Sequence, residues 1–130
     1  MLSMLGTWRL VAVRAFDPEG REVPSQYGHA PMGVVTFEPT RMMAVLGDSR
    51  PPANGPGGKE ERFYTSYTGP WTFDGATLVT RVDGCSDPAR MGTDQVRQVR
   101  AEGAHVVLVP PPRLHRGVMQ QPELVWERLA

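Results

Sequence analysis

The chain has 130 residues, 40% of them hydrophobic, and its 14 Lys plus Arg are matched by 14 Asp plus Glu. That length holds one domain, residues 1 to 130, around one core, and the balanced charge lacks the basic footprint of nucleic-acid and anionic-membrane binders, so no nucleic acid and no membrane is expected as a partner. A lone Cys85 excludes an internal disulfide and any multi-cysteine metal site, no stretch approaches the ~20 apolar residues of a membrane span, and Met1-Leu2-Ser3-Met4-Leu5 lacks the basic and long apolar parts of a leader, so a cytoplasmic location is expected.

The first predicted strand runs from Gly6 to Arg14. Period-2 alternation then marks Gly33 to Glu38, Arg41 to Leu46, Phe63 to Thr68, Trp71 to Phe73, Thr77 to Val82, Asp94 to Arg100, His105 to Val109 and Leu124 to Leu129. The 14 Gly and 13 Pro fall between these runs as turn punctuation. Glu38-Pro39-Thr40, Asp74-Gly75 and Glu102-Gly103 are tight links, so consecutive strands should pair antiparallel. Three connections are longer: Phe16 to Met32, Asp48 to Arg62, and Pro110 to Glu123. The second carries no apolar residue larger than Ala or Pro, cannot bury itself, and is expected to be a mobile, tolerated insertion, with a lid over a barrel mouth as the alternative.

Gly6-Thr7-Trp8-Arg9-Leu10 at the start and Leu124-Val125-Trp126-Glu127-Arg128-Leu129 at the end predict how the sheet closes. If it curls until its first and last strands are neighbours, the Trp8 indole plugs one end of the interior and the arginine of the last strand lies over the ring, a contact of about 0.5 to 2 kcal/mol. The expected fold is therefore all-β: a closed antiparallel up-and-down barrel of about eight strands, a size that holds side chains or one small ligand.

Six blocks carry a resemblance that spans nearly the whole chain: Leu5 to Val11, Gly33 to Pro39, Arg41 to Ala44, Tyr64 to Gly69, Gly92 to Arg97 and Leu124 to Arg128. In this order they resemble the bacterial lipocalin-like domain family. The resemblance implies a calycin-type barrel with a cavity, and no single activity, since related barrels include carriers, haem binders and cyclases. Where many relatives carry paired histidines before an acidic residue and Gly, this chain has Thr80-Arg81-Val82-Asp83-Gly84, so no role of those histidines transfers.

Alternation sorts the faces. If Trp8 points inward, Leu10, Ala12 and Arg14 share its side, and Arg9, Val11 and Val13 point outward, where Val11 and Val13 would support a homodimer. Met42, Ala44 and Leu46 form the interior side of their strand. Gap-filling in a core is the expected reading of the methionine, with an adaptable pocket as the alternative. Tyr64 and Tyr67 lie on opposite faces, so only one lines the cavity. Tyr64, in a row with Ser66 and Thr68, is the candidate.

The stretch richest in chemistry is Thr77 to Asp83 with the strand after it. Gln95 and Arg97 are marked by the resemblance, and hairpin pairing would set them beside Arg81 and Asp83. An arginine held inside an apolar barrel receives a carboxylate, phenolate or enolate through its planar fork. Charged residues are rarely buried, so a cross-strand ion pair on the wet face is the default for these groups.

Cys85 has no histidine near it in sequence and is expected to be a passive loop thiol. His29, His105 and His115 match no zinc spacing, and Gly55-Pro56-Gly57-Gly58-Lys59 lacks the strand and helix that would aim amides at a phosphate, so no metal and no cofactor is expected. The function expected is binding of a small hydrophobic or aromatic molecule with a polar or anionic end, by Phe37, Met42, Leu46, Tyr64, Arg81, Gln95 and Arg97. The alternative is a barrel enzyme for isomerisation, cyclisation or hydration of a small unsaturated or carbonyl compound, with Tyr64, Asp83 and Arg97 as acid, base and charge stabiliser.

Overall fold

The computed structural model describes residues 2–50 and 62–130. Its strands are β1 (Gly6–Phe16), β2 (Pro31–Phe37), β3 (Arg41–Asp48), β4 (Tyr64–Phe73), β5 (Thr77–Arg81), β6 (Gly84–Cys85), β7 (Asp94–Glu102), β8 (His105–Val109), β9 (Arg113–His115) and β10 (Val118–Arg128), with one 3-10 turn at Pro88–Arg90. Eight of them follow one another as β1, β2, β3, β4, β5, β7, β8 and β10, every neighbour antiparallel, and β10 pairs back onto β1. The sheet is a closed barrel, with β6 added beside β4 and β9 beside the start of β10.

The closure has the predicted geometry. Trp8 opposes Arg128 across β1 and β10, and the guanidinium carbon sits 4.2 Å from the indole centroid. The same guanidinium donates to the carbonyls of Leu5 and Ser3, and the indole N–H donates to Met4 O at 3.0 Å, so the segment before β1 is tied under the barrel end. Gly6 is required here: its φ is +118°, and a Cβ would stand 2.3 Å from Ala130 O.

Most strand ends fall within two residues of the expected ones, β6 and β9 are additional, and two differences are larger. The two expected strands Phe63 to Thr68 and Trp71 to Phe73 are one strand, Tyr64–Phe73, because Gly69 and Pro70 continue the ladder against Met42 and Arg41. The last strand begins at Val118, six residues before the expected Leu124, since its first half pairs with β9 and with the end of β1. The expected mobile insertion falls on 51–61 for the most part, outside the described residues.

A β-bulge corrects the expected face of β1. Leu10 opposes Trp126 and Ala12 opposes Val125, so Val11 is an extra residue and the alternation changes phase after it. Val13 and Ala15 therefore turn toward the interior, and Arg14 turns outward, 2.9 Å from Glu102 and 3.1 Å from Glu123. Of the two valines assigned to an outer face, only Val11 is there.

The core fills the half of the barrel near Trp8. Trp8, Leu10, Val35, Phe37, Met42, Leu78 and Val106 are buried in one cluster, and Phe37 meets Trp71 edge-on at 5.0 Å. Met42 fills this core, as its gap-filling reading anticipated.

Candidate functional site

The other half of the interior is not filled. A cavity of about 460 Å³ lies there, walled by β3, β4, β7, β8 and β10 and reaching the Gln26 to Tyr27 segment of the β1–β2 connection. Leu46, Leu108 and Leu124 give it apolar walls, and Thr65, Tyr67, Gln95 and Arg97 supply polar groups.

Register decides which side chains of β7 enter. Gln95 pairs with Thr80 and Arg97 with Leu78, both buried, so Gln95 and Arg97 share the interior face while Asp94, Val96, Gln98 and Arg100 face out. Arg97 Nη1 donates to Val96 O at 2.9 Å. Desolvation lowers the pKa of the guanidinium, and Tyr67 and Tyr27 nearby oppose that shift in part. It remains charged at neutral pH, since a delocalised guanidinium keeps its proton in proteins. No carboxylate of the described residues forms an ion pair with Arg97, Arg90 or Arg113.

Arg90 arrives from the 3-10 turn. Asp87 caps that turn by accepting from Ala89 N–H, and Pro88 supplies the fixed φ of its first position. Thus placed, Arg90 donates to Thr65 Oγ1 at 3.1 Å and lies 5.2 Å from the Tyr67 ring centroid. Tyr27, 8% exposed, packs against Phe63 with centroids 4.5 Å apart, and burial raises its pKa so that its hydroxyl stays neutral. Its segment is seated by Asp48: at Gly28, with φ +74°, a Cβ would stand 2.4 Å from the Asp48 carboxylate. The hydrogen bond from Arg50 holds the Asp48 carboxyl below the ordinary aspartate range.

Two buried polar atoms on residues that line the cavity, Gln95 Oε1 and Trp126 Nε1, have no hydrogen-bond partner among the described residues, and the residues are 7% and 3% exposed. The other two indoles are satisfied, Trp8 by Met4 O and Trp71 by Glu38 O at 2.7 Å. A buried donor or acceptor left unpaired costs about 1–3 kcal/mol, and native structures keep such groups few. The residues around the cavity therefore bring three arginines, Arg90, Arg97 and Arg113, an indole N–H donor and an amide acceptor between apolar walls.

Among the residues singled out from sequence, Gln95, Arg97 and Leu46 line this cavity. Tyr64 is 56% exposed and reaches only the rim, and Tyr67 is the tyrosine of that strand that turns inward. Phe37 and Met42 are buried at the Trp8 end. Arg81 and Asp83 are not beside Gln95 and Arg97: Arg81 is on the outer face, 3.1 Å from Asp94, and Asp83 is 2.7 Å from Arg41. Asp83 is held below the ordinary aspartate range by that guanidinium. Tyr27, Arg90 and Trp126 were not singled out as site residues. Trp126 had a signal in its alternation with Leu124, whereas Tyr27 and Arg90 sit on connections where periodicity carries no information.

Among the described residues no three His, Cys, Asp or Glu side chains group so as to hold a metal ion. Cys85 is half-buried and accepts a hydrogen bond from Asp87 N–H at 3.4 Å.

An antiparallel eight-stranded barrel stoppered by a tryptophan at one end and hollow at the other is a lipocalin-like barrel, a form suited to small-molecule binding. A family model described as the lipocalin-like domain matches residues 5–129, and the chain belongs to that family. No curated protein and no solved structure matches it.

Proposed function

We propose that the protein binds a small, largely apolar or aromatic molecule that carries an anionic group, and that Arg97 receives the anion with Arg90 close by. One observation carries this: the Arg97 guanidinium is turned into the barrel and no carboxylate of the described residues pairs with it. Removing a cation from water without a counter-charge is unfavourable, and an incoming anion supplies the missing partner. The cavity volume falls in the usual range of ligand sites, and Leu46, Leu108 and Leu124 suit a hydrocarbon or aromatic body.

Binding is favoured over isomerisation, cyclisation or hydration because, of Tyr64, Asp83 and Arg97, only Arg97 is directed into the cavity. A cytoplasmic site of action is part of the proposal and rests on the solitary thiol.

The test is calorimetric titration with a matched pair, 1-naphthaleneacetate and its neutral amide. A charge-assisted hydrogen bond is worth about 1.5–3 kcal/mol, so the acid should bind the wild type at least about tenfold more tightly than the amide. In Arg97→Met that preference should vanish. Equal binding of acid and amide to the wild type, or an unaltered preference in the variant, would contradict the proposal.

A further inference from the structure

Arg97 accounts for an anion, but it leaves two of the cavity's polar atoms unused. Gln95 Oε1 can only accept a hydrogen bond, and Trp126 Nε1 can only donate one. Both residues are more than nine-tenths buried, and both line the same chamber as Arg97. Gln95 and Arg97 are two apart on one strand, so their side chains leave the backbone on the same face about two residues' rise from each other. A plain apolar acid satisfies the guanidinium and leaves the amide oxygen as it was.

From this juxtaposition we infer that the preferred ligand is a hydroxylated carboxylate, an acid whose apolar or aromatic body also bears a hydroxyl that donates to Gln95 Oε1. The inference rests on the anion-binding reading and narrows its ligand class. A hydroxyl is suited to this wall because it donates to the amide oxygen and still offers lone pairs, so the Trp126 N–H gains an acceptor among the ligand's oxygens. Among the described residues Gln95 Oε1 accepts from no donor, so a hydroxyl brought by the ligand is the partner it lacks. Sites built to hydrogen-bond a ligand hydroxyl reject analogues lacking it, because the protein's own buried group is then stranded.

The experiment uses 2-naphthoate and its ring-hydroxylated isomers as probes in calorimetric titrations of the wild type, Gln95→Leu and Gln95→Met. The best hydroxy isomer should bind the wild type about tenfold more tightly than 2-naphthoate, the usual effect of pairing one buried acceptor. That gain should disappear in both variants, while 2-naphthoate itself binds them at least as tightly as it binds the wild type. If 2-naphthoate binds but no isomer improves on it, or if the gain survives in the variants, the hydroxyl inference is wrong and the anion site stands. If no naphthoate binds the wild type, the anion reading falls and takes this inference with it. Having two replacements of different shape at position 95 keeps the test decisive should one of them fold poorly, and the wild-type comparison requires neither.

Discussion

The two halves of this barrel are built from the same strands to opposite ends. Near Trp8 the indole N–H groups of Trp8 and Trp71 are both bonded and the space is taken up by Phe37, Met42, Leu78 and Trp71, which is what close packing requires for stability. Near Arg97 the interior keeps a chamber, a cation and two buried polar atoms that have no partner among the described residues, each of which costs stability in the free protein. Stability is concentrated in one half, and the capacity to recognise a ligand is concentrated in the other. Local departures from good packing are expected at functional sites, and here they are confined to one side of a well-packed layer.

Substitutions on the two sides should separate cleanly. The largest effect belongs to the filled half: Phe37→Ala removes a ring 2% exposed and should cost about 3–5 kcal/mol, seen as a large fall in melting temperature without a specific loss of the acid-over-amide preference in protein that remains folded. A smaller effect comes from acid. The carboxyl of Asp48 has its pKa lowered by Arg50, and that of Glu102 is lowered by Arg14 and Arg100. A depressed folded pKa means a stabilising contribution present above the ordinary carboxylate range, and lost as pH falls through the folded value. Melting temperature should therefore decline from about pH 5 downward, and Asp48→Asn should flatten part of that slope. A slope unchanged by Asp48→Asn would show that this carboxylate does not hold the Tyr27 segment in place. The smallest thermal effect is expected at Arg97→Met, which removes a desolvated charge: the melting temperature should stay level or rise. A marked fall would make Arg97 a structural group and blur the distinction between the halves.

The filled half was the more legible in sequence. Trp8 and the terminal strand announced the closure, and the alternation of Met42, Ala44 and Leu46 identified a buried face, because period-2 patterns report burial directly. The site was read in part. Gln95 and Arg97 were picked out, yet composition favours the wet face for such residues, and only the register of Gln95 with Thr80 and Arg97 with Leu78 turns them inside. Tyr64 was preferred to Tyr67 because alternation names two faces without saying which is inner. On β1 the bulge at Val11 reversed the phase for Val13 and Arg14, and an inserted residue leaves no mark in a hydrophobic pattern. Arg90 and Tyr27 are delivered by a capped turn and a loop seated on Asp48, contacts between segments distant in sequence that spacing cannot reveal.

The central claim is that ligand enters the Arg97 half and leaves the Trp8 half untouched, and the three tryptophans report on it directly. In a ¹⁵N-labelled sample the indole N–H resonances of Trp8 and Trp71 belong to groups already bonded to Met4 O and Glu38 O, whereas Trp126 Nε1 has no partner among the described residues. Titration with a hydroxynaphthoate should shift the Trp126 indole resonance strongly and saturably while those of Trp8 and Trp71 stay in place. Saturable binding that moves Trp8 or Trp71 and leaves Trp126 fixed would contradict the account.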